Sequence, residues 1–299
     1  VERGEGERRR ILIVEDDRDM QELLRLLLEG DYALTLTTQA EEALLLARRE
    51  QPDLVLLDVY LPGMNGIECL QALRRDVRTA DIPAILISAE SNESIRLRSF
   101  EEGAADYLAK PFLMREFLAR VEKVVRESEE RRELWRLATT DALTGLANLR
   151  FLRETLHREI QLVRRYQHPL TLIMIDMDGL KEINDRLGHE AGNQALRKLA
   201  ERIRSSLRSA DFAARFGGDE FAILLPHATV EEGEQLAERL RRTLEAETAL
   251  PFPLRASFGV ATAQGARADA DELFERADRA LYQAKRAGRN RIVVAREEA

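Results

Sequence analysis

The chain has 299 residues, 44% of them apolar and 33% charged, with a formal net charge of −8. That length allows two domains with separate cores, and the acidic balance without a long basic tract disfavours a nucleic-acid scaffold. The single cysteine, Cys69, excludes an internal disulfide and a cysteine-cluster metal site. No apolar run approaches the roughly 20 residues of a bilayer span, and the polar start, residues 1–10, has no apolar signal core. The expected setting is the cytoplasm, with neither membrane nor nucleic acid as a partner.

The first half alternates strand and helix. Ile11–Val14 is an apolar run ending in Glu15-Asp16-Asp17, and a helical pattern follows from Met20 to Leu28, stopping at Gly30. Ala33–Leu36, Leu54–Leu57, Ala84–Ile87 and Ala105–Leu108 read as further strands, and Ala40–Arg49, Gly66–Arg75 and Ile95–Glu102 as helices. Strands that are apolar throughout are buried on both faces, which implies a parallel sheet covered by helices. Function in such folds gathers at the carboxyl ends of the strands. There the chain places Asp16, Asp17, Asp58, Ser88 and Lys110. Any one of them is explained by an acidic strand end at the surface; a set at successive strand ends is not. Converging carboxylates repel unless a cation or proton intervenes, and their hard oxygens suit Mg²⁺. A lysine and a small hydroxyl beside them complete the requirements of an aspartyl phosphate.

These residues resemble the receiver domain of two-component response regulators, over residues 9–125. The resemblance implies a doubly wound, parallel, five-stranded α/β fold. It makes Asp58 the phospho-acceptor for a cognate histidine kinase, with Asp16, Asp17 and Asp58 holding Mg²⁺. Ser88 and Tyr107 become the switch residues and Lys110 the phosphate-contacting lysine, with a Lys110-Pro111 bond that is often cis. Pro62 and Gly66 also stand where that family has them.

No Gly or Pro interrupts the chain from Phe112 to Leu143, so the last receiver helix is expected to run on as a stalk, with residues 126–137 as a helical linker. Phe117, Val121, Val124, Leu134 and Leu137 suit a short helical seam. That pattern fits a dimerising stalk, or a helix lying on its own domain.

In the second half, Asp141–Asn148 is a polar-capped turn before a helix Leu149–Arg165. A strand Leu170–Ile175 ends at Asp176, with Asp178 on the same side of an extended chain. A helix Leu180–Leu187, a glycine-bracketed loop 188–193 and a helix Gln194–Leu207 follow. Arg215-Phe216-Gly217-Gly218-Asp219-Glu220-Phe221 then reads as a hairpin with a Gly-Gly turn. Alone, it is equally an ordinary surface hairpin with an acidic tip. A helix Glu231–Leu244, a strand Leu254–Ala261, a helix Asp271–Arg286 and a strand Ile292–Val294 complete an α+β arrangement. Carboxylates from Asp176 and Asp219 or Glu220 could together hold Mg²⁺ for phosphoryl or nucleotidyl transfer. Lys181, Lys285 and Arg289 supply positive charge, the last two sharing a helix face if the helix reaches that far.

Residues 138–299 resemble the GGDEF domain of diguanylate cyclases, a nucleotidyl-cyclase-like α+β fold. The signature Gly217-Gly218-Asp219-Glu220-Phe221 is intact. Asp141, Leu143-Thr144-Gly145-Leu146, Asp176-Met177-Asp178, Lys181, Asn184-Asp185, Gly188-His189 and Ala277-Asp278 with Leu281-Tyr282, Lys285 and Gly288-Arg289-Asn290 fall in register. The resemblance implies that Asp176, Asp219 and the Met177 carbonyl bind metal, while Glu220 binds metal or helps deprotonate a 3′-hydroxyl. It implies that Lys285 and Arg289 hold phosphates and that Asn184 contacts guanine. Two GTP on a two-fold homodimer, formed on activation, then give cyclic di-GMP and two pyrophosphate. Arg208 and Asp211 match an RxxD inhibitory site for the product, with Arg239 as its second arginine.

Three positions depart from that family. Asn148-Leu149 stands for Asn-Arg, with Arg150 one place later; Leu180 replaces an aromatic; Gly192-Asn193 replaces Gly-Asp. That aspartate accepts both guanine donors, whereas an amide offers one acceptor and one donor. The mismatch costs about 1–3 kcal/mol and suits adenine's acceptor–donor edge. Besides the cyclase, the sequence therefore admits a weak or inactive receptor for GTP or cyclic di-GMP, or a relaxed cyclase making cyclic AMP-GMP.

Overall fold

The computed structural model describes residues 8–89 and 93–295 and divides after Leu134 into two compact units. The last four residues of the expected 138–299 span lie outside the described residues.

The first unit is built on β1 (Arg10–Val14), β2 (Ala33–Thr37), β3 (Leu54–Asp58), β4 (Ala84–Ser88) and β5 (Asp106–Ala109), all parallel, in the order β2-β1-β3-β4-β5. Between them run α1 (Arg18–Leu28), α2 (Ala40–Glu50), α3 (Gly66–Arg75) and α4 (Glu93–Glu101). Side-chain alternation divides each strand between two cores. Leu12, Val14, Val55 and Leu57 meet Ala40, Ala43, Leu70 and Leu73 on one face. Ile11, Ile13, Leu54 and Leu56 meet Leu24, Leu28, Phe117 and Val121 on the other. The order reverses at β1, so the carboxyl ends of β1 and β3 flank the crevice where such sheets bind ligands.

A helix α5 (Met114–Thr139) follows as the expected stalk. Phe117, Val121, Val124 and Val125 are buried against the first unit's own sheet. Farther along, Leu134, Trp135 and Leu137 are 68%, 58% and 58% exposed. The helix thus divides the two sequence readings between its halves: the first lies on its own domain, and the second carries uncovered apolar side chains.

The second unit has α6 (Leu149–Tyr166), β6 (Leu170–Met177), α7 (Leu180–Leu187), α8 (His189–Ser206), β7 (Phe212–Arg215), β8 (Glu220–Pro226), α9 (Val230–Glu245), β9 (Ala256–Ala263), α10 (Ala270–Arg286) and β10 (Ile292–Val294). The sheet order is β10-β9-β6-β8-β7, with central β6 antiparallel to both neighbours. Ile173, Ile175 and Met177 of β6 face a core with Leu196, Leu199, Leu236 and Leu240. Leu170, Leu172 and Met174 face another with Leu152, Leu156, Leu273 and Leu281.

Three local expectations are corrected. Strand β6 continues through Asp176 to Met177, because that stretch still pairs with β8 and β9. The glycine-bracketed segment is helical from His189 onward. Gly192 sits inside α8 because a Cβ there would lie 2.0 Å from Asn184 Oδ1 on α7; the glycine marks a close approach rather than a break. The hairpin has no two-residue Gly-Gly turn. Its ladder ends at Arg215–Phe221, and neither Gly217 nor Gly218 has the positive φ that a tight primed turn demands.

Candidate functional site

In the first unit, the turn after β1 and the ends of β3 and β4 bring Glu15, Asp16, Asp58 and Ser88 to one edge. Carboxylate oxygens of Glu15, Asp16 and Asp58 lie within 4.8 Å of one another. Glu15 is 1%, Asp58 5% and Ser88 0% exposed. Lys110, just past β5, donates to Glu15 Oε2 at 2.8 Å and pairs with Asp58 Oδ2. The other Asp58 oxygen accepts the Tyr60 N–H at 2.7 Å. Burial pushes the Glu15 carboxyl up to about 7; the Lys110 hydrogen bond opposes the shift and the Asp58 charge adds to it. Burial disfavours the Lys110 ammonium, yet hydrogen bonds and charge from Asp58 and Glu15 outweigh it and raise the lysine pKa. Two buried carboxylates and an exposed one around a single lysine form a hard-oxygen site that fits Mg²⁺.

The sequence expectation is corrected on one residue of this set. Asp17 caps α1: its Oδ1 accepts the Asp19 and Met20 N–H groups at 2.8 and 3.0 Å, which lowers its pKa. The clustered partner of Asp16 and Asp58 is instead Glu15. Tyr107 is buried at 7% exposure, and the Lys110-Pro111 bond is cis.

In the second unit the centre lies where β6 meets β8. Asp176 pairs in register with Glu220, and the Met177 N–H donates to the Asp219 carbonyl at 2.9 Å. Asp176, 6% exposed, accepts from Lys285 Nζ at 2.6 Å. Burial pushes its carboxyl up to about 6, with Lys285 opposing and the charges of Asp219 and Asp178 adding. Glu220 folds over the loop, so that a Cβ on Gly217 would meet its Oε2 at 2.3 Å. The three carboxylates of Asp176, Asp219 and Glu220 do not close into a tight group; among the described residues only Glu15, Asp16 and Asp58 do.

An open cleft of about 1030 Å³ adjoins this edge, lined among others by Asp176, Lys181, Asp219, Lys285, Arg289 and Arg255. Arg289 is not on a helix face with Lys285. Helix α10 ends at Arg286, and Arg289 stands in a left-handed turn at φ 61°. On α8, Arg197 donates to Glu190 at 2.9 Å. Hydrogen bonds from Arg197 and Asn193 hold the Glu190 carboxyl below its ordinary range.

Arg208, Asp211 and Arg239 gather beyond the other end of α8. Asp211 Oδ2 accepts the Arg208 N–H at 2.8 Å, and Arg239 donates to the Ser206 carbonyl at 3.2 Å. Arg208 and Asp211 border a separate cleft of about 400 Å³ with Arg204, Phe151 and Phe212.

Arg215 and Asp141 are far apart in the sequence, and the fold joins them. Arg215, its side chain 12% exposed, donates to both Asp141 oxygens at 3.0 and 3.2 Å and to the Gly218 carbonyl at 2.7 Å. Asp141 also accepts from the Thr144 N–H and hydroxyl at 2.9 and 2.6 Å. Burial opposes ionisation of Asp141, but Thr144 and Arg215 prevail and lower its pKa. The signature loop is thus latched to the turn before α6. The available signal was an arginine directly before the loop and an aspartate far upstream, without a spacing rule to connect them.

A family model described as "Diguanylate cyclase, GGDEF domain" matches residues 138–291, and one described as "Response regulator receiver domain" matches residues 11–122. The chain belongs to the GGDEF diguanylate cyclase family, with a receiver domain fused ahead of the GGDEF domain. It is 29% identical to the response regulator PleD of Caulobacter vibrioides over 95% of this chain and 65% of that protein. It is 46% identical to the diguanylate cyclase DgcP of Pseudomonas aeruginosa over 53% of this chain and 24% of that protein. The chain therefore spans less than two thirds of either curated relative. Among solved structures, the coiled coil and GGDEF domain of DgcB from Caulobacter crescentus, in complex with c-di-GMP, superposes with a TM-score of 0.56. The identity is 30%, over 60% of this chain and 97% of that one. The GGDEF domain of DgcB alone gives 0.51 at 32% identity, over 53% and 96%. Among the described residues no helix is long and apolar enough to cross a membrane.

Proposed function

We propose that this chain is a phosphorylation-regulated diguanylate cyclase converting two GTP to cyclic di-GMP and two pyrophosphate. The observation that carries this reading is the edge where buried Asp176, ion-paired with Lys285, stands in register with Glu220 beside the intact Gly217–Asp219 loop. Lys285 and Arg289 neutralise the polyphosphate, with Lys181 in the same cleft. Asn184 and Asn193 read the base. Glu220 takes the proton of the 3′-hydroxyl, whose oxygen bonds to the α-phosphorus of a GTP held by a second copy of the chain. The bond from that phosphorus to pyrophosphate breaks, and the reciprocal step closes the ring. Asp176, Asp219, the Met177 carbonyl and Glu220 are the residues that would hold Mg²⁺, which when bound neutralises phosphate charge and acidifies the hydroxyl.

In the receiver, Glu15, Asp16 and Asp58 would hold Mg²⁺ while Asp58 accepts a phosphoryl group from a histidine kinase. Ser88, Tyr107 and Lys110 respond to it, and dimerisation through the stalk follows. Arg208, Asp211 and Arg239 are the residues through which product would inhibit. The domains of this account are the receiver at 9–125, the linker at 126–137 and the GGDEF domain from 138.

The amide of Asn193 favours a second reading, in which adenine is also admitted and cyclic AMP-GMP is formed. Incubation with Mg²⁺ and GTP, ATP or both, with products identified by mass, tests the two together. Cyclic di-GMP alone from the mixture supports the first reading and ends the second. No cyclic product from any mixture, with or without a phosphoryl mimic on Asp58, contradicts both.

A further inference from the structure

Asp178 lies two residues past Asp176 and has no part in the reaction described above, yet two segments of the second unit, β9 and the turn after α10, converge on it. Its side chain is 8% exposed. The hydroxyl of Ser257, fully buried on β9, donates to its two oxygens at 2.9 and 3.1 Å. The Asn290 N–H donates to Oδ2 at 2.9 Å. Arg289 Nε approaches Oδ1 at 4.0 Å.

The segment that Asp178 grips is strained. Gly288, Arg289 and Asn290 follow one another at φ 113°, 61° and 47°. Left-handed backbone is unfavourable for a residue that carries a side chain. It persists only where the surroundings over-determine it, and it concentrates at functional sites. Here the Arg289 N–H is held by the Ala284 carbonyl at 3.1 Å. The Asn290 side chain donates to Glu245 at 2.5 Å, and the Asn290 N–H is held by the Asp178 carboxylate in a charge-assisted bond. The turn brings Arg289, 65% exposed, back towards the end of β6 rather than letting it continue along α10. Two cation–carboxylate pairs then run side by side into the cleft, Lys285 on Asp176 and Arg289 by Asp178.

We propose that Asp178, braced by Ser257, is a positioning residue: it clamps the left-handed Arg289–Asn290 turn and so fixes where the Arg289 guanidinium meets the nucleotide's polyphosphate. This rests on the reading that the cleft takes GTP. A guanidinium recognises phosphate oxygens with a planar fork, so its orientation matters as well as its charge. With the clamp removed, Arg289 stays cationic but loses preorganisation, which weakens binding without deleting a contact group. The loss falls on a triphosphate and spares a monophosphate.

The test is equilibrium binding of GTP and of GMP to the full chain. Asp178→Asn keeps the shape and one acceptor. It is expected to weaken GTP binding by about tenfold and GMP binding by less than about twofold. Arg289→Ala gives a similar GTP loss, and the double variant binds GTP no more weakly than Arg289→Ala alone, because the two residues act as one unit. Ser257→Ala removes the brace but leaves both charges, and carries the test where Asp178→Asn fails to fold; its expected GTP loss is about threefold. Unchanged GTP binding in both Asp178→Asn and Ser257→Ala overturns the inference. So do equal losses for GTP and GMP, or additive losses in the double variant. Absence of GTP binding by the unaltered chain overturns the functional reading, and this inference with it.

Discussion

In the first unit Glu15, Asp16 and Asp58 bring their oxygens within 4.8 Å of one another, with Lys110 bonded to two of them. In the second, Asp176 is drawn to Lys285 and Glu220 folds over Gly217, and the acidic residues remain apart. The first arrangement is closed by residues at the ends of parallel strands, which point into one crevice by construction. The second lies at the side of an antiparallel ladder, open to a cleft. On the proposed reading, the receiver takes up a phosphoryl group alone, whereas cyclisation depends on how two chains meet.

The harshest way to break this contrast is Asp176→Asn. Cyclic product should fall by about a thousandfold or more, because the metal that would offset phosphate charge loses a carboxylate ligand, while Asp58 phosphorylation is untouched. Rates of product formation and of phosphoryl uptake, measured on the same preparation, check it. Loss of both would mean that the two centres are not independent.

Arg215→Ala sharpens the account of the loop. Removing Arg215 leaves Asp141 with only its Thr144 hydrogen bonds, at a cost of about 1–3 kcal/mol to the second unit. The freed Gly218 carbonyl should let the signature loop drift, lowering product formation by about ten- to a hundredfold. Denaturant unfolding and turnover measured together distinguish a loosened loop from a collapsed domain.

The pH response compares the centres directly. Glu15 is pushed up to about 7 and Asp176 to about 6, above their ordinary values of 4.5 and 3.8. Between the ordinary and the raised value the folded chain holds a proton that the unfolded chain has lost. Above about pH 5, where the carboxylates with lowered pKa are already ionised in both states, metal-free stability should thus fall as pH rises to about 7. Mg²⁺ should reverse the trend near neutrality, and more strongly in the first unit, where the ligands already converge. Thermal midpoints with and without Mg²⁺ across that range measure it; stability that rises with pH in the absence of metal would contradict the assignment.

The smallest effect separates two neighbours. Asp17→Ala should lower the thermal midpoint by a few degrees through loss of the α1 cap, yet leave Mg²⁺ affinity within about twofold. Glu15→Gln should weaken Mg²⁺ by about tenfold or more, since it removes a ligand charge. Titration of Mg²⁺ into each variant decides which acidic residue serves the metal.

That last pair shows where the sequence stops being legible. The parallel sheet, the stalk and the α+β half follow from apolar runs and their spacing, and the signature at 217–221 is intact. Whether Asp17 caps or ligates depends on where α1 begins, and three consecutive acidic residues do not reveal it. Gly192 looks like a loop residue because glycine commonly breaks helices, but here it makes room for Asn184 across a helix–helix contact. Arg289 at four residues from Lys285 suggests one helical face, until α10 ends between them. Arg215 and Asp141 are far apart in sequence, and only the sheet brings them together. For Gly192, Arg289 and the Arg215–Asp141 pair a tertiary contact overrides a local pattern, whereas Asp17 is decided by the local cap of α1.

The most direct test of the half-site account is the rate of cyclic di-GMP formation per chain on serial dilution, with Asp58 carrying a phosphoryl mimic throughout. The account predicts that the rate per chain falls steeply once pairs of chains separate, while Mg²⁺ binding by the receiver stays constant. A rate per chain that holds constant after sedimentation shows only monomers would contradict it.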